Sequence, residues 1–265
     1  MATPVPRLLG AVLCLAVAAA PACGSDDGGT GGPDGGSGAG LEGTITVYAA
    51  ASLTDALTEA AAAFEAAHEG VTVELNFAGS SALREQILAG APADVFAPAT
   101  PDSMDQVVTA GAVDGEPRVL ARNTLEVAVP AGNPGDVEGL ADFADDDLLI
   151  GLCAAEVPCG ELAREVLARA GVTPSPDTDE PDVRSLLTKV AAGDLDAGIV
   201  YRSDVVAAGD DVEGIAIPDA GNVVADHPVA ALSDAGEPAV AAAFVDFLLA
   251  EDGRAVLESH GFVRP

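Results

Sequence analysis

From residue 44 onward, the chain alternates short apolar runs with longer stretches that carry an apolar residue at every third or fourth position. The short runs predict buried strands, and the longer stretches predict amphipathic helices. Their alternation predicts an α/β fold with mainly parallel sheets. The predicted strands are 45–51, 71–78, 94–97, 124–130, 148–152, 195–200 and 224–232, and the predicted helices are 54–67, 81–89, 101–110, 159–170, 182–192, 237–250 and 253–259.

Two of these strands run through small residues straight into a helix. Ser52 follows the first strand with Asp55 three residues later, a spacing that predicts a helix capped by Ser52. Ser80 follows the second strand in a Gly-Ser-Ser turn. Because the first N–H groups of a helix have no partner inside the helix, they can bind an oxyanion together with a serine hydroxyl. The two turns predict one shared anion site, and a plain helix cap is the alternative for each serine.

The strand-to-helix pattern occurs in two successive series, which predicts two lobes. The first lobe is expected to comprise residues 44–124 together with 226–265, because the last elements return the chain to it. The second lobe is expected to comprise residues 125–225. The chain then crosses between the lobes twice, near 124–127 and near 222–226.

The N-terminus has the features of an export signal. Arg7 precedes the apolar run 8–20, which is too short to span a membrane comfortably, and small residues then lead to Cys23. This arrangement resembles a bacterial lipoprotein signal, which implies that residues 1–22 are removed and that Cys23 carries lipid. Residues 23–43 then form a Gly, Ser and Asp tether. The alternative is ordinary cleavage to a soluble secreted protein.

Charge and composition exclude several classes of function. The chain has 43 acidic against 11 basic residues, a net charge of −32, so its surface would repel the phosphates of a nucleic acid. Aromatic residues make up 3% of the chain and tryptophan is absent, which disfavours a stacking platform for sugars or bases. With 265 residues and 49% hydrophobic content, the chain can still bury a sizeable core.

The cysteines support export. Once the signal is removed and Cys23 carries lipid, Cys153 and Cys159 remain as a pair in an oxidising compartment, and we expect a disulfide between them. A metal site is the competing interpretation. It is weakly supported, because only two sulfurs are available and the three histidines lie far apart without metal-ligand spacing. We therefore expect no direct ligands for a metal ion.

Six short strings occur in the order found in the molybdate-binding proteins of ABC importers, and the chain resembles that family from residue 44 to its end. The strings are 45–54, 77–83, 90–96, 157–160, 182–184 and 198–204. The resemblance implies a two-lobed periplasmic-binding-protein fold of type II, with the ligand in the cleft between the lobes. It also implies a monomeric, lipid-anchored extracytoplasmic receptor, without catalysis or cofactor, that delivers molybdate or tungstate to a permease and its ATPase.

The resemblance implies five ligand contacts. Ser52 and Ser80 are expected to offer a hydroxyl and a backbone N–H. Cys159 and Val183 are expected to offer backbone N–H groups, and Tyr201 its phenol. Cys159 replaces a residue that is commonly small, but only its main chain is needed.

This set of donors contains no positive side chain. Arg84 and Arg184 are close in sequence, but each lies in a helical pattern where a solvated face or an ion pair is the default. Fixed neutral donors suit a fully deprotonated tetrahedral anion, and cavity size would have to exclude sulfate. The alternatives are a receptor for another oxyanion or solute, an adhesion lipoprotein, and a serine hydrolase. The hydrolase is disfavoured because neither serine lies in a Gly-x-Ser-x-Gly motif.

Overall fold

The computed structural model describes residues 40–265. The predicted signal peptide 1–22, the predicted lipid attachment at Cys23 and most of the predicted tether lie outside these residues. Among the helices of residues 40–265, none combines the length and the hydrophobicity of a membrane span.

Nine strands and eight α-helices form in residues 40–265, and the predicted α/β class is confirmed. The strands are β1 Glu42–Ala50, β2 Gly70–Ala78, β3 Val95–Ala97, β4 Arg118–Pro130, β5 Ile150–Cys153, β6 Thr178–Glu180, β7 Ala197–Tyr201, β8 Val212–Ala216 and β9 Val224–Ala231. The helices are α1 Thr54–Ala67, α2 Ser80–Leu88, α3 Pro101–Thr109, α4 Pro158–Arg169, α5 Val183–Ala191, α6 Arg202–Ala208, α7 Pro238–Leu249 and α8 Glu251–Ser259.

The strands form one connected sheet in the order β2-β1-β3-β9-β4-β7-β5-β6, with β8 paired to β4. Strands β1, β2 and β3 are parallel to one another, and so are β5, β6 and β7. Strands β4 and β9 are antiparallel to their neighbours. The sheet therefore has two parallel groups, with β4 and β9 between them.

Strand β4 is longer than the predicted strand 124–130, and it changes partners along its length. Residues 118–124 pair with β9, whereas residues 125–130 pair with β7 and β8. The register shifts between Val119 and Ala121, which interrupts the apolar alternation and explains why the sequence pattern missed the first half. The change of partner lies at the predicted crossover, but the division into lobes 44–124 plus 226–265 and 125–225 remains a prediction.

Three short elements were not predicted from the sequence. Strand β6 has the sequence Thr-Asp-Glu and no apolar run, α6 has seven residues, and β8 is mostly exposed. The longer elements follow the predicted pattern because their apolar faces are buried. In α1, the predicted face of Leu57, Ala60, Ala61 and Phe64 lies in the main core together with β1.

Candidate ligand-binding site

All five residues that the sequence singled out line one small cavity. Its volume is about 20 Å³, far below the ~300 to 1,000 Å³ of pockets that take drug-sized organic ligands. The cavity therefore suits one compact ligand. The lining residues are Ala50, Ala51, Ser52, Gly79, Ser80, Ala99, Val157, Pro158, Cys159, Asp182, Val183 and Tyr201.

The register of the parallel strands brings these residues together. Ala50 at the end of β1 lies opposite Ala78 at the end of β2, so the two following turns are neighbours. In the other parallel group, β5 and β6 end side by side before α4 and α5, and β7 ends at Tyr201 itself. The carboxyl ends of both groups thus face the cavity, which is where α/β sheets commonly bind ligands.

Ser80 is buried at the first position of α2, after Gly79. Its backbone N–H lies in the first turn, where no helical carbonyl is available. Its Oγ accepts a hydrogen bond from the backbone N–H of Ala99 at 3.0 Å. That bond uses one lone pair of the oxygen and leaves the hydroxyl proton available to donate to a ligand.

The prediction that Ser52 caps α1 is wrong. A single 3-10 turn, Ala51–Leu53, precedes the helix, and α1 begins at Thr54 without a side-chain cap. The extra turn moves Ser52 away from the capping position. Its Oγ instead lies 3.2 Å from Nε2 of His227, and both residues are buried.

Helices α4 and α5 supply the backbone donors of the second parallel group. Cys159 is the second residue of α4 and Val183 is the first residue of α5, so neither N–H has a helical carbonyl to bond. Asp182 caps α5 by accepting from the N–H of Ser185 at 2.9 Å. A disulfide joins Cys159 to Cys153 at the end of β5, as expected from the sequence, and braces the start of α4.

Tyr201 is 1% exposed, and its Oη has no hydrogen-bond partner among the described residues. Burial raises the pKa of its phenol above the usual value, with a smaller contribution from Asp204, so the oxygen keeps its proton. A buried hydroxyl without a partner costs about 1 to 3 kcal/mol. Tyr201 therefore presents an unused donor to the cavity that it lines.

Positive side chains do not line the cavity. Arg184 forms an ion pair with Asp55 and has its Nε 3.7 Å from Oδ1 of the buried Asp204. Burial raises the pKa of Asp204 to about 7, and the charge of Arg184 acts in the opposite direction. Arg84 pairs with Glu85 at 3.5 Å. A ligand in the cavity would meet neutral hydroxyl and N–H donors.

Two contacts next to the cavity join the parallel groups. Ser81 Oγ donates to the carbonyl of Glu156 at 2.7 Å. A Cβ added at Gly79 would lie 2.6 Å from the carbonyl oxygen of Pro181, so the two backbones are in close contact. These contacts join segments that the sequence assigns to different lobes.

The sequence did not reveal three residues behind the donors: Ala99, Asp204 and His227. Ala99 bonds to Ser80 and His227 lies next to Ser52, and both partners are distant along the chain. Asp204 accepts a hydrogen bond from the backbone N–H of Tyr201 at 3.1 Å. For His227, the available signal was its position in a predicted strand, directly before the apolar run 228–232. No pattern in the sequence indicated which side chain it would contact.

The proximity of His227 to Ser52 bears on the hydrolase alternative. A serine nucleophile requires a base, and that base is normally oriented by a third group. Here Nδ1 of His227 faces the backbone carbonyl of Ala225 at 3.3 Å and not a carboxylate.

Within residues 40–265, no three His, Cys, Asp or Glu side chains are grouped as a metal site.

An α/β sheet of this topology, with a small donor-lined cavity at the carboxyl ends of both parallel groups, is the arrangement expected of a solute-binding protein. The chain belongs to the family of bacterial extracellular solute-binding proteins, whose model matches residues 45–263.

Two relatives carry the name molybdate-binding protein ModA. The protein of Mycobacterium tuberculosis (strain H37Rv) is 39% identical over 222 residues, covering 84% of this chain and 85% of the relative. The protein of Escherichia coli (strain K12) is 36% identical over 236 residues, covering 83% and 89%.

Two solved structures share the fold. The periplasmic molybdate-binding protein of Azotobacter vinelandii has a TM-score of 0.75 at 21% identity, covering 83% of this chain and 99% of that one. The sulfate-binding protein SubI of Mycobacterium tuberculosis has a TM-score of 0.75 at 19% identity, covering 83% and 86%. These likenesses confirm the periplasmic-binding-protein fold expected from the sequence.

Proposed function

We propose that this protein is an extracytoplasmic receptor that captures molybdate, and also tungstate, for an ABC importer. The observation that carries the proposal is the convergence of Ser52, Ser80, Cys159, Val183 and Tyr201 on one small cavity whose lining contains no positive side chain. The two ModA relatives support the choice of ligand. In this role, the receptor needs no cofactor and delivers its ligand to a membrane permease driven by an ATPase.

The chemistry of the donors favours a tetrahedral oxyanion without protons. Each donor offers a hydrogen, and the helix N-termini add a partial positive charge. The one acidic lining residue, Asp182, already accepts two hydrogen bonds from Ser185. The five expected ligand contacts all donate, so they offer no acceptor to the P–OH of a protonated phosphate. The net charge of −32 does not prevent binding, because salt screens it over ~8 to 10 Å while the donors act at contact.

Thermal unfolding with four anions tests this proposal. We expect molybdate and tungstate to raise the midpoint, because a ligand that binds only the folded state adds about 4 kcal/mol at a thousandfold excess over its dissociation constant. Sulfate and phosphate should have little effect, since sulfate is smaller and phosphate is protonated at neutral pH. Stabilisation by sulfate alone would assign the protein to the sulfate receptors, and no shift with any anion would contradict the proposal.

We also propose that lipid on Cys23 holds the receptor at the outer face of the cell membrane. The support is the signal-like segment before this cysteine and the Gly, Ser and Asp tether after it. In cell fractionation, the full chain should be found with membranes, and the Cys23→Ser variant should lose fatty-acid labelling and membrane association. Equal fractionation of the two chains would contradict lipid anchoring.

A further inference from the structure

His227 lies directly behind two of the five donors. It belongs to β9, its side chain is fully buried, and its Nε2 is 3.2 Å from Ser52 Oγ. Its ring also meets the ring of Tyr201 edge-on, with centroids 5.6 Å apart. One imidazole therefore contacts a donor from each parallel group.

The two serines differ in what lies behind their oxygens. Ser80 accepts from the backbone N–H of Ala99, a group that can only donate. In the described part of the chain, the polar atom in hydrogen-bond contact with Ser52 Oγ is Nε2 of His227, which can donate or accept. The direction of the Ser52 hydroxyl thus depends on the protonation of this ring.

A bound oxyanion determines in which direction the Ser52 hydroxyl donates its proton. Its oxygens accept hydrogen bonds, and Ser52 has a single hydroxyl proton to give. If Ser52 gives this proton to His227, its lone pairs face the anion and repel it. If Ser52 donates its proton to the anion, Nε2 of His227 must carry a proton itself, because otherwise no hydrogen bond forms between Nε2 and Ser52 Oγ.

We propose that His227 is a positioning residue of the binding site, which donates from Nε2–H to Ser52 Oγ when an oxyanion is bound and so directs the Ser52 hydroxyl to that anion. The inference rests on the proposed function. Ser52 then has the arrangement already present at Ser80, with an N–H donor behind the oxygen and the hydroxyl proton directed to the ligand.

The contact on the other side of the ring favours a different tautomer. Nδ1 faces the carbonyl oxygen of Ala225 at 3.3 Å, and a carbonyl can only accept, so it attracts the ring proton to Nδ1. Burial lowers the pKa of His227 to about 4, so the ring is neutral at pH 7 and has one proton. Donation from Nε2 to Ser52 therefore requires the Nε2–H tautomer, which differs from the Nδ1–H tautomer by one proton released from Nδ1 and one taken up at Nε2.

Variants of His227 test the direction of this bond. Calorimetric titration with molybdate should show about tenfold weaker binding for His227→Leu, the loss expected when a charge-assisted chain of donors is broken. His227→Gln should keep most of the affinity, because its amide N–H can take the place of Nε2–H. In a Ser52→Ala background, His227→Leu should have no further effect, because the two residues act as one unit.

Two results of the titrations would overturn the proposal. Tighter binding by His227→Leu would show that the imidazole competes with the ligand for the Ser52 proton. An equal loss with and without Ser52 would show a purely structural role. If wild-type protein fails to bind molybdate, the proposed function fails instead, so the two failures are distinguishable.

Nitrogen-15 NMR of the imidazole in the wild-type complex provides a direct test, for which a variant serves only to assign the signals. The chain has three histidines, so the signals of His227 are those that disappear in His227→Gln. In wild-type protein saturated with molybdate, we expect a protonated Nε2. An unprotonated Nε2 in the complex would overturn the proposal.

Discussion

Replacing Tyr201 by Phe is expected to weaken molybdate binding by about tenfold to a hundredfold without lowering the stability of the free protein. The phenol donates to the anion in the proposed complex, and a hydrogen bond to a charged group contributes about 1.5 to 3 kcal/mol. Among residues 40–265, this buried hydroxyl has no hydrogen-bond partner, so its removal relieves a cost. Affinity and stability should therefore respond in opposite directions.

Calorimetric titration and thermal unfolding of the free protein measure the two effects of Tyr201→Phe. The matched control is Tyr48→Phe, because Tyr48 is the other tyrosine of the chain, is also buried, and does not line the cavity. The control should bind molybdate like the parent. Unchanged affinity for Tyr201→Phe would exclude the phenol as a ligand donor, and a large loss of stability would show that it has a structural partner.

The turns that form the first half of the site could be predicted from the sequence because their signals are local. A strand that ends in small residues and enters a helix specifies a free helix N-terminus wherever it lies in the fold. The positions of Ser52 and Ser80 followed from this pattern alone. Their proximity required the parallel register of β1 and β2, which the alternation of strands and helices favours but does not fix.

The second half of the site depended on the family resemblance. Nothing in the local pattern distinguishes Val183 from an ordinary core residue or Cys159 from half of a disulfide. Their chemistry lies in backbone N–H groups, which every residue except proline has. Side-chain identity therefore gives little information on such donors, and the structure is needed to show that they line the same cavity as Tyr201.

His227 and the first half of β4 show the limit of sequence reasoning. The contact of His227 with Ser52 joins positions 175 residues apart, and it depends on the place of β9 in the sheet. The first half of β4 was missed because its register shift breaks the alternation. Both features follow from pairing between distant strands, which composition and local periodicity do not encode.

A second large effect is expected for Gly79→Ala. Gly79 has a φ of −58°, which alanine adopts readily, so the turn before α2 should form as in the parent. In the closed site, the added Cβ would lie 2.6 Å from the carbonyl oxygen of Pro181, which is too close for two atoms that are not bonded. Overpacking of this kind costs typically 1 to 3 kcal/mol, so the equilibrium constant for closure, and with it the molybdate affinity, should fall by roughly fivefold to a hundredfold.

The same change tests whether the lobes move. If residues 44–124 plus 226–265 and residues 125–225 separate when the site is empty, the free Gly79→Ala variant avoids the clash and should melt close to the parent, while its affinity falls. Gly221→Ala is the control, because its Cβ would meet only an oxygen at an ordinary 3.7 Å. If the variant is destabilised relative to the parent as much without molybdate as with it, the two lobes are in contact even when the site is empty, and the site does not open. Parental molybdate affinity in Gly79→Ala would show that the backbone at Pro181 can move to accommodate the added Cβ. Closure would then not depend on the contact between Gly79 and Pro181.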